Sequence, residues 1–286
     1  MPIDVILDTD AYNEIDDQFA LAYLLRNKNR LHTAAIYAAP FHNSRSKSPE
    51  DGMWKSFHEI HHILSLCSEE TPVYSGSAEW LADEKTPVIS PAAKDLARRA
   101  LAYSPENPLY VVAIGAITNI ASAILLNPEI VGNLCVVWLG GHAHHWSDTK
   151  EFNMRQDYAA ARVVMGSGVK FVQLPCCGVV SEFRTTGQEL VFWLQGKNPL
   201  ATYLAENTIR FMEQKSVGKP WSKVIWDVTA VAWLLNDNQR FLRSRRVPIR
   251  LPDDSGHYGP EIDQTMDYVY GINRDSLMED LFRCLT

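Results

Sequence analysis

The sequence predicts an α/β fold with an open, mainly parallel, doubly wound sheet flanked by helices. Two observations carry this. Short β-branched runs recur along the chain, and helix-like segments lie between several of them, which implies crossover connections and parallel neighbours. The early runs are apolar nearly throughout, as expected of strands covered on both faces. With 286 residues, 46% of them hydrophobic, the chain can bury one large core. No repeat, low-complexity tract or linker forces a boundary, so one domain over residues 1–286 is expected.

The elements follow in order. Ile3–Leu7 is the first strand. A helix over Asp16–Arg26 begins on two acids, which suit the positive end of a helix dipole. Thr33–Ala38 is the second strand, and the polar, helix-breaking "HNSRSKSPEDG" (His42–Gly52) is the best candidate for a mobile loop. Helices over Trp54–Leu66 and Pro91–Tyr103 precede a strand at Tyr110–Ile114. Thr118–Leu126 is helical, Leu134–Leu139 a strand, Tyr158–Met165 a helix and Lys170–Leu174 a strand. "GKPWSKVIWD" (Gly218–Asp227) ends in a segment that turns helical after Asp227, and Val247–Leu251 is the last strand.

Composition narrows the function. A net charge of −7 argues against binding a nucleic-acid backbone, which needs a basic surface. The uncharged stretch from Leu109 to Glu129 is long enough for a membrane span, but Gly115, Thr118, Asn119 and Asn127 within it fit a buried strand followed by a helix. No membrane partner is expected. Asp4 and Asp8 arrive at once, so no cationic and apolar leader is expected before the first strand. Five cysteines, odd in number and without metal-type spacing, suit a reducing cytosol, so a cytoplasmic location is expected. The adjacent Cys176 and Cys177 read as two small apolar residues rather than a redox pair.

The first turn is where chemistry concentrates. "IDVILDTDAYNEIDDQFALAY" carries Asp8, Asp10, Glu14, Asp16 and Asp17. Asp8 and Asp10 sit at the carboxyl end of the first strand, where open parallel sheets bind ligands, and side chains two apart on a strand share a side. Like charges about 4 Å apart repel by roughly 4 kcal/mol at an effective dielectric near 20. Either the acids are scattered on a solvated turn, one of the Asp16–Asp17 pair merely capping the helix, or a hard divalent cation sits among them. All-oxygen ligation favours Ca²⁺ or Mg²⁺ over Zn²⁺.

Four ordered motifs resemble the inosine-uridine-preferring nucleoside hydrolases. "DTD…DDQFAL" is similar to that family's DxDxxxDD signature. "AIGAITNIASAILLNPEI" (Ala113–Ile130) resembles its TGPLTNIA segment through Thr118, Asn119, Ile120 and Ala121. "WLGGHAHHWSDTKEFN" (Trp138–Asn153) resembles its GG–loop–EFN segment, and "WDVTAVAWLL" (Trp226–Leu235) its HDPxA segment at Asp227. The resemblance spans residues 3 to about 235 and implies the Rossmann-like nucleoside hydrolase fold with bound Ca²⁺. It also implies a small nucleoside substrate, Ca²⁺-dependent hydrolysis of its N-glycosidic bond to ribose and free base, a salvage role, and a homodimer or homotetramer.

By the same resemblance Asp10, Asp17 and Asp227 would be carboxylate ligands of the metal and Ile114 a main-chain one. Asp10 would also be the catalytic base for a metal-polarised water. Asp16 and Asn153 would bind the ribose hydroxyls, Glu151 the 5′ end, and Asn43 the ribose. Trp226 could stack on the base.

Two departures stand out. The turn Ala11–Ile15 is two residues longer than the family pattern. Trp226 replaces a histidine that is a candidate leaving-group acid in some members, and tryptophan has no ionisable proton to give at neutral pH. His142, His144 and His145 are the substitutes the sequence offers, with His145 counted among the substrate-binding candidates and plain loop histidines or a zinc loop as the competing readings. His257 and Tyr258 are further options. Tyr12, Phe41, Trp146, Trp193 and Trp221 could wall a base pocket or simply pack.

Two other functions compete. "ILDTDAY" superficially resembles the DxDxT motif of haloacid dehalogenase-type Mg²⁺ phosphatases, but Tyr12 stands where threonine or valine belongs. A catalytically altered, Ca²⁺-dependent nucleoside or sugar binder is the non-enzymatic alternative.

Overall fold

The structure is a computed structural model and describes residues 2–286. The chain runs β1 (Ile3–Thr9), α1 (Asp17–Arg26), β2 (Leu31–Ala38), α2 (Pro49–Cys67) and β3 (Val73–Ser75), then α3 (Pro91–Arg99) and β4 (Leu109–Ala113). Next come α4 (Thr118–Leu126), β5 (Leu134–Leu139), α5 (Phe152–Gln156), α6 (Tyr158–Gly166) and β6 (Lys170–Leu174). The last part holds β7 (Arg184–Thr185), α7 (Gly187–Trp193), α8 (Pro199–Lys215), β8 (Lys223–Val224), α9 (Val228–Leu234), β9 (Leu242–Pro252), β10 (Tyr258–Ile272) and α10 (Arg274–Leu285).

The main sheet has eight strands in the order β3-β2-β1-β4-β5-β6-β10-β9, and every neighbouring pair is parallel except β10 with β9. The expected doubly wound, mainly parallel sheet is borne out. Alternating residues feed two apolar layers. Val5 and Leu7 face α1, α2, α8, α9 and α10, while Ile6 faces α3, α4 and α6. Each such side chain stabilises the fold by about 1.5–3 kcal/mol when fully buried. From β1 the strand order runs outward to β2 and β3, then reverses to β4 on the other side. The crevice beyond β1 and β4 is therefore the topological switch point, where open α/β sheets bind ligands.

Several expectations shift. Of the supposed loop His42–Gly52, the last four residues are the first turn of α2. Pro49 stands at the first helical position and the Ser48 hydroxyl accepts the Asp51 N–H at 3.1 Å, so a stretch rich in helix breakers is a helix start. The helix expected over Pro91–Tyr103 ends at Arg99 and tightens into a 3₁₀ turn, Ala100–Ala102. Val247–Leu251 is part of a longer strand, paired with β10, which periodicity missed because its exposed face is polar and it contains Gly259, Pro260 and Gly271. Leu109–Glu129 holds β4 and α4; among the described residues no helix is long and apolar enough to cross a membrane.

Candidate active site at the carboxyl end of the sheet

β1 delivers Asp8, Thr9 and Asp10 to the switch point, all three fully buried. Asn119, near the start of α4, straps them down. Its amide nitrogen donates to Asp8 Oδ1 at 2.7 Å, and its oxygen accepts from the Ser77 N–H at 2.7 Å and the Ser77 hydroxyl at 3.0 Å. Gly115 passes so close that a Cβ there would lie 3.2 Å from Asp10 Cγ and 3.0 Å from the Ala39 methyl. Both Asp10 oxygens, and Asp8 Oδ2, are sealed away without a hydrogen-bond partner. A buried carboxylate left so costs several kcal/mol unless it is protonated or meets a cation.

The electrostatics agree. Burial first, then the Asp17 charge, raises Asp10 well above the usual carboxylate range. Asp227 is raised in the same way, by burial and then by Asp17 and Asp16. Asp8 and Asp17 are each pushed up to about 7, Asp8 by burial against the Asn119 bond, and Asp17 by burial and the Asp16 charge against a 2.6 Å bond from Thr9 Oγ1. Left to themselves, these acids favour the protonated form, through burial and mutual repulsion.

The longer turn is anchored throughout. Asn13 N–H donates to the Asp10 carbonyl at 2.7 Å, Asn43 Nδ2 donates to Asn13 Oδ1 at 2.6 Å, and the Arg45 guanidinium lies 4.3 Å above the Tyr12 ring. Asp16 does not cap α1 with its side chain. Its Oδ1 accepts from Lys223 Nζ at 2.9 Å and its Oδ2 from the Trp226 N–H at 3.0 Å.

The opposite wall is built on α5 and the loop after β5. Glu151 accepts the Asn153 N–H on Oε1 at 2.9 Å, and the Gly141 and Met154 N–H groups on Oε2, both at 3.0 Å. Burial still raises its pKa against those bonds. Gly141 needs its positive φ of 75°, since a Cβ would strike Tyr258 Oη, Met154 and Thr149. Asn153 Nδ2 donates to the carbonyls of Ile114 at 3.1 Å and Leu139 at 3.0 Å. His142 Nδ1 accepts the Cys177 N–H at 3.3 Å. A neutral ring so bonded carries its proton on Nε2, and burial favours that neutral form.

Between the walls lies a cleft of about 350 Å³. It is lined by Asp16, Asp17, Asn43, Ile114, Glu151, Asn153, Trp226 and Asp227 among the expected residues. Asp10 lies beneath them, not on the surface. His145 is exposed and stands outside the lining, whereas His142 is on it. His144 packs between Tyr258 and Tyr268. Of the aromatic candidates, Phe41 is core, Trp193 stacks on Phe282 and Trp221 lies by a separate groove near α7; none of the five lines the cleft. Sequence reasoning counted Glu14 among the first-turn acids but gave it no role, and it did not find Lys223, Lys150 and Arg155. Glu14 alone left a signal, as an acid in the lengthened turn.

The donors test whether a metal fits. Among the described residues no three Asp, Glu, His or Cys side chains are grouped so as to hold a metal ion. The material for a metal site is present: Asp10 with two unpartnered oxygens, Asp17, whose charge raises the pKa of both Asp10 and Asp227, and the Ile114 carbonyl on the same cleft. An all-oxygen, anionic set of this kind fits a hard divalent cation.

Residues 5–268 match the family described as inosine-uridine preferring nucleoside hydrolase. The pyrimidine-specific ribonucleoside hydrolase RihA of Citrobacter koseri is 30% identical over 149 residues, 50% of this chain and 47% of that enzyme, so this match spans about half the relative's length. RihA of Salmonella paratyphi A is 26% identical over 263 residues, covering 82% of this chain and 80% of that enzyme. A plant nucleoside hydrolase, PpNRh1, superposes with a TM-score of 0.79 at 16% identity over 100% of this chain and 99% of its own, which speaks to the fold.

Proposed function

Because the chain belongs to the inosine-uridine preferring nucleoside hydrolase family, whose enzymes act on N-glycosyl bonds, we propose that it hydrolyses the N-glycosidic bond of a ribonucleoside, giving ribose and a free base, with Ca²⁺ as cofactor. The observation that carries this reading is Asp10: two buried carboxylate oxygens without a donor, beside Asp17 and under a cleft of nucleoside size. Asp10, Asp17, Asp227 and the Ile114 carbonyl would hold the cation, which when bound polarises the attacking water and the sugar's vicinal diol.

The chain's own residues do the rest. Bond cleavage spreads positive charge over the ribose ring, and the buried carboxylates Asp10 and Asp17 stabilise that charge more than the ground state. Asp10 accepts the proton of the attacking water. Asp16, Asn43 and Asn153 orient the ribose hydroxyls, and Glu151, held by three backbone N–H groups, faces the 5′ end beside the Nε2–H of His142. Trp226 supplies an aromatic face for the base, and the base leaves with a proton from outside the Trp226 position. All five cysteines are free thiols, which suits a reducing cytoplasm, and salvage by a homodimer or homotetramer completes the reading.

The test is a nucleoside panel scored by released reducing sugar, with and without chelator. Turnover that vanishes on chelation and returns with Ca²⁺ is the expected result. Asp10→Ala should lower kcat by about 10²–10⁴-fold, the usual worth of a general base, and wild-type turnover by this variant removes Asp10 from the role. Ca²⁺-dependent ribose binding with no base released from any nucleoside favours the non-enzymatic binder instead.

A further inference from the structure

Lys223 is a cation buried in the wall of an acidic site, and the reaction as described does not use it. Only 6% exposed, it donates to Glu14 Oε2 at 2.7 Å and to Asp16 Oδ1 at 2.9 Å. Its backbone is fixed by the small second sheet, where Lys223 pairs with Thr185 and the Ile225 N–H donates to the Phe183 carbonyl at 2.9 Å. Asp16 Oδ2 takes the Trp226 N–H. Both oxygens of one carboxylate are thus gripped by a single stretch, residues 223 to 226, that leads directly into Asp227. Glu14 belongs to the lengthened first turn, and it also meets Lys215 at 3.5 Å on its outer side.

Burying an ammonium is unfavourable by several kcal/mol unless good partners offset it. Here two carboxylates do, and the ammonium in turn keeps them from repelling each other. The lengthened turn and the lysine therefore form one device, a strut between β8 and the start of α1.

We propose that Lys223 is a positioning residue: with Glu14 it locks Asp16 and the Trp226–Asp227 segment in register, and so sets the affinity of the site for the vicinal diol of the sugar. This rests on the reading of Asp16 as a diol ligand. A contact made equally in ground and transition states appears in KM and leaves kcat largely alone.

The experiment compares the wild type with Lys223→Met, Lys223→Arg, Glu14→Gln and the double variant Lys223→Met/Glu14→Gln, each confirmed as folded by circular dichroism and melting. Steady-state kinetics on the best nucleoside and calorimetric titration with ribose, both in Ca²⁺, are the readouts. Lys223→Met should raise KM and weaken ribose binding by roughly ten- to a hundredfold, the worth of a hydrogen bond to a charged group, with kcat within about threefold. Lys223→Arg should recover part of the loss by restoring the charge. Glu14→Gln alone should shift KM less, because Asp16 keeps its ammonium, and the double variant should recover part of the Lys223→Met defect. Wild-type KM and ribose affinity in a folded Lys223→Met protein overturn the proposal, as does a loss confined to kcat. If the wild type cleaves no nucleoside, the proposed reaction fails on that result alone, and the ribose titration still decides about the lysine: affinity lowered in Lys223→Met supports it, affinity unchanged or ribose unbound by the wild type overturns it.

Discussion

At Asp10 the sequence placed an acid at a strand end, and the structure gives that acid no donor on either oxygen. Such a group is stable at neutral pH only with a proton or a cation close by. The room around it is set by Gly115, whose missing side chain leaves the carboxylate its space. Gly115→Ala should press on both Asp10 and Ala39. Overpacking of this kind destabilises by about 1–3 kcal/mol, and an accompanying fall in turnover larger than the melting shift explains would tie the glycine to the site. A variant with unchanged melting temperature and activity would show that the neighbours move aside. The histidines illustrate a limit at this scale. Three were candidates in one short loop, and only His142 lines the cleft, because the Cys177 N–H and the anchored backbone at Gly141 turn that ring inward.

Among the elements, most strands and helices were legible where apolar periodicity or β-branching was strong. Leu134–Leu139, Lys170–Leu174 and Thr118–Leu126 have the expected bounds. What escaped was amphipathic or short: β10 with its polar face, α8 and α10, the short α5, α7 and β3, and the two-residue strands β7 and β8 that seat Lys223. α4 carries the TNIA motif, and its function is mechanical as much as chemical. Asn119 ties Asp8 on β1 to the Ser77 loop after β3. Asn119→Ala should strip Asp8 of its one donor and leave the Ser77 N–H without its acceptor, destabilising the fold by about 2–4 kcal/mol, measurable by urea denaturation. A loss under about 0.5 kcal/mol would mean that water replaces the amide at both ends.

For the whole molecule, the buried acids set a pH dependence opposite to that of a salt-bridged protein. Asp8 and Asp17 are pushed up to about 7, whereas in the unfolded chain they titrate near 4. Below about pH 4 both states hold the protons and no difference arises. Between about 4 and 7 the unfolded chain releases protons that the native state keeps, so these acids make stability fall as pH rises, outweighing the opposite effect of His142 and His144, which burial holds below the usual imidazole range, and the fall levels off above about 7. The chelated protein should therefore melt at a lower temperature at pH 7.5 than at pH 5.5, as read by calorimetry. Given the proposed Ca²⁺ site, adding Ca²⁺ at pH 7.5 should raise the melting temperature with concentration, because a cation bound only by the ionised native site stabilises the fold. A chelated protein whose melting temperature climbs between those pH values would refute the electrostatic account of the cluster.

The sequence alone determined the parallel α/β architecture, the crowding of acids after β1, and the order of the four motifs, because periodicity, turn chemistry and charge spacing are local properties of a chain. It did not determine what each acid would meet. Asp16 and its lysine are 207 residues apart, and Glu14 and the same lysine 209; only the docking of β8 against the start of α1 makes them neighbours. Burial, and with it the raised pKa of Asp10, Asp17 and Asp227, is likewise a property of the folded crevice, since the same carboxyls on a solvated turn would titrate in the ordinary range.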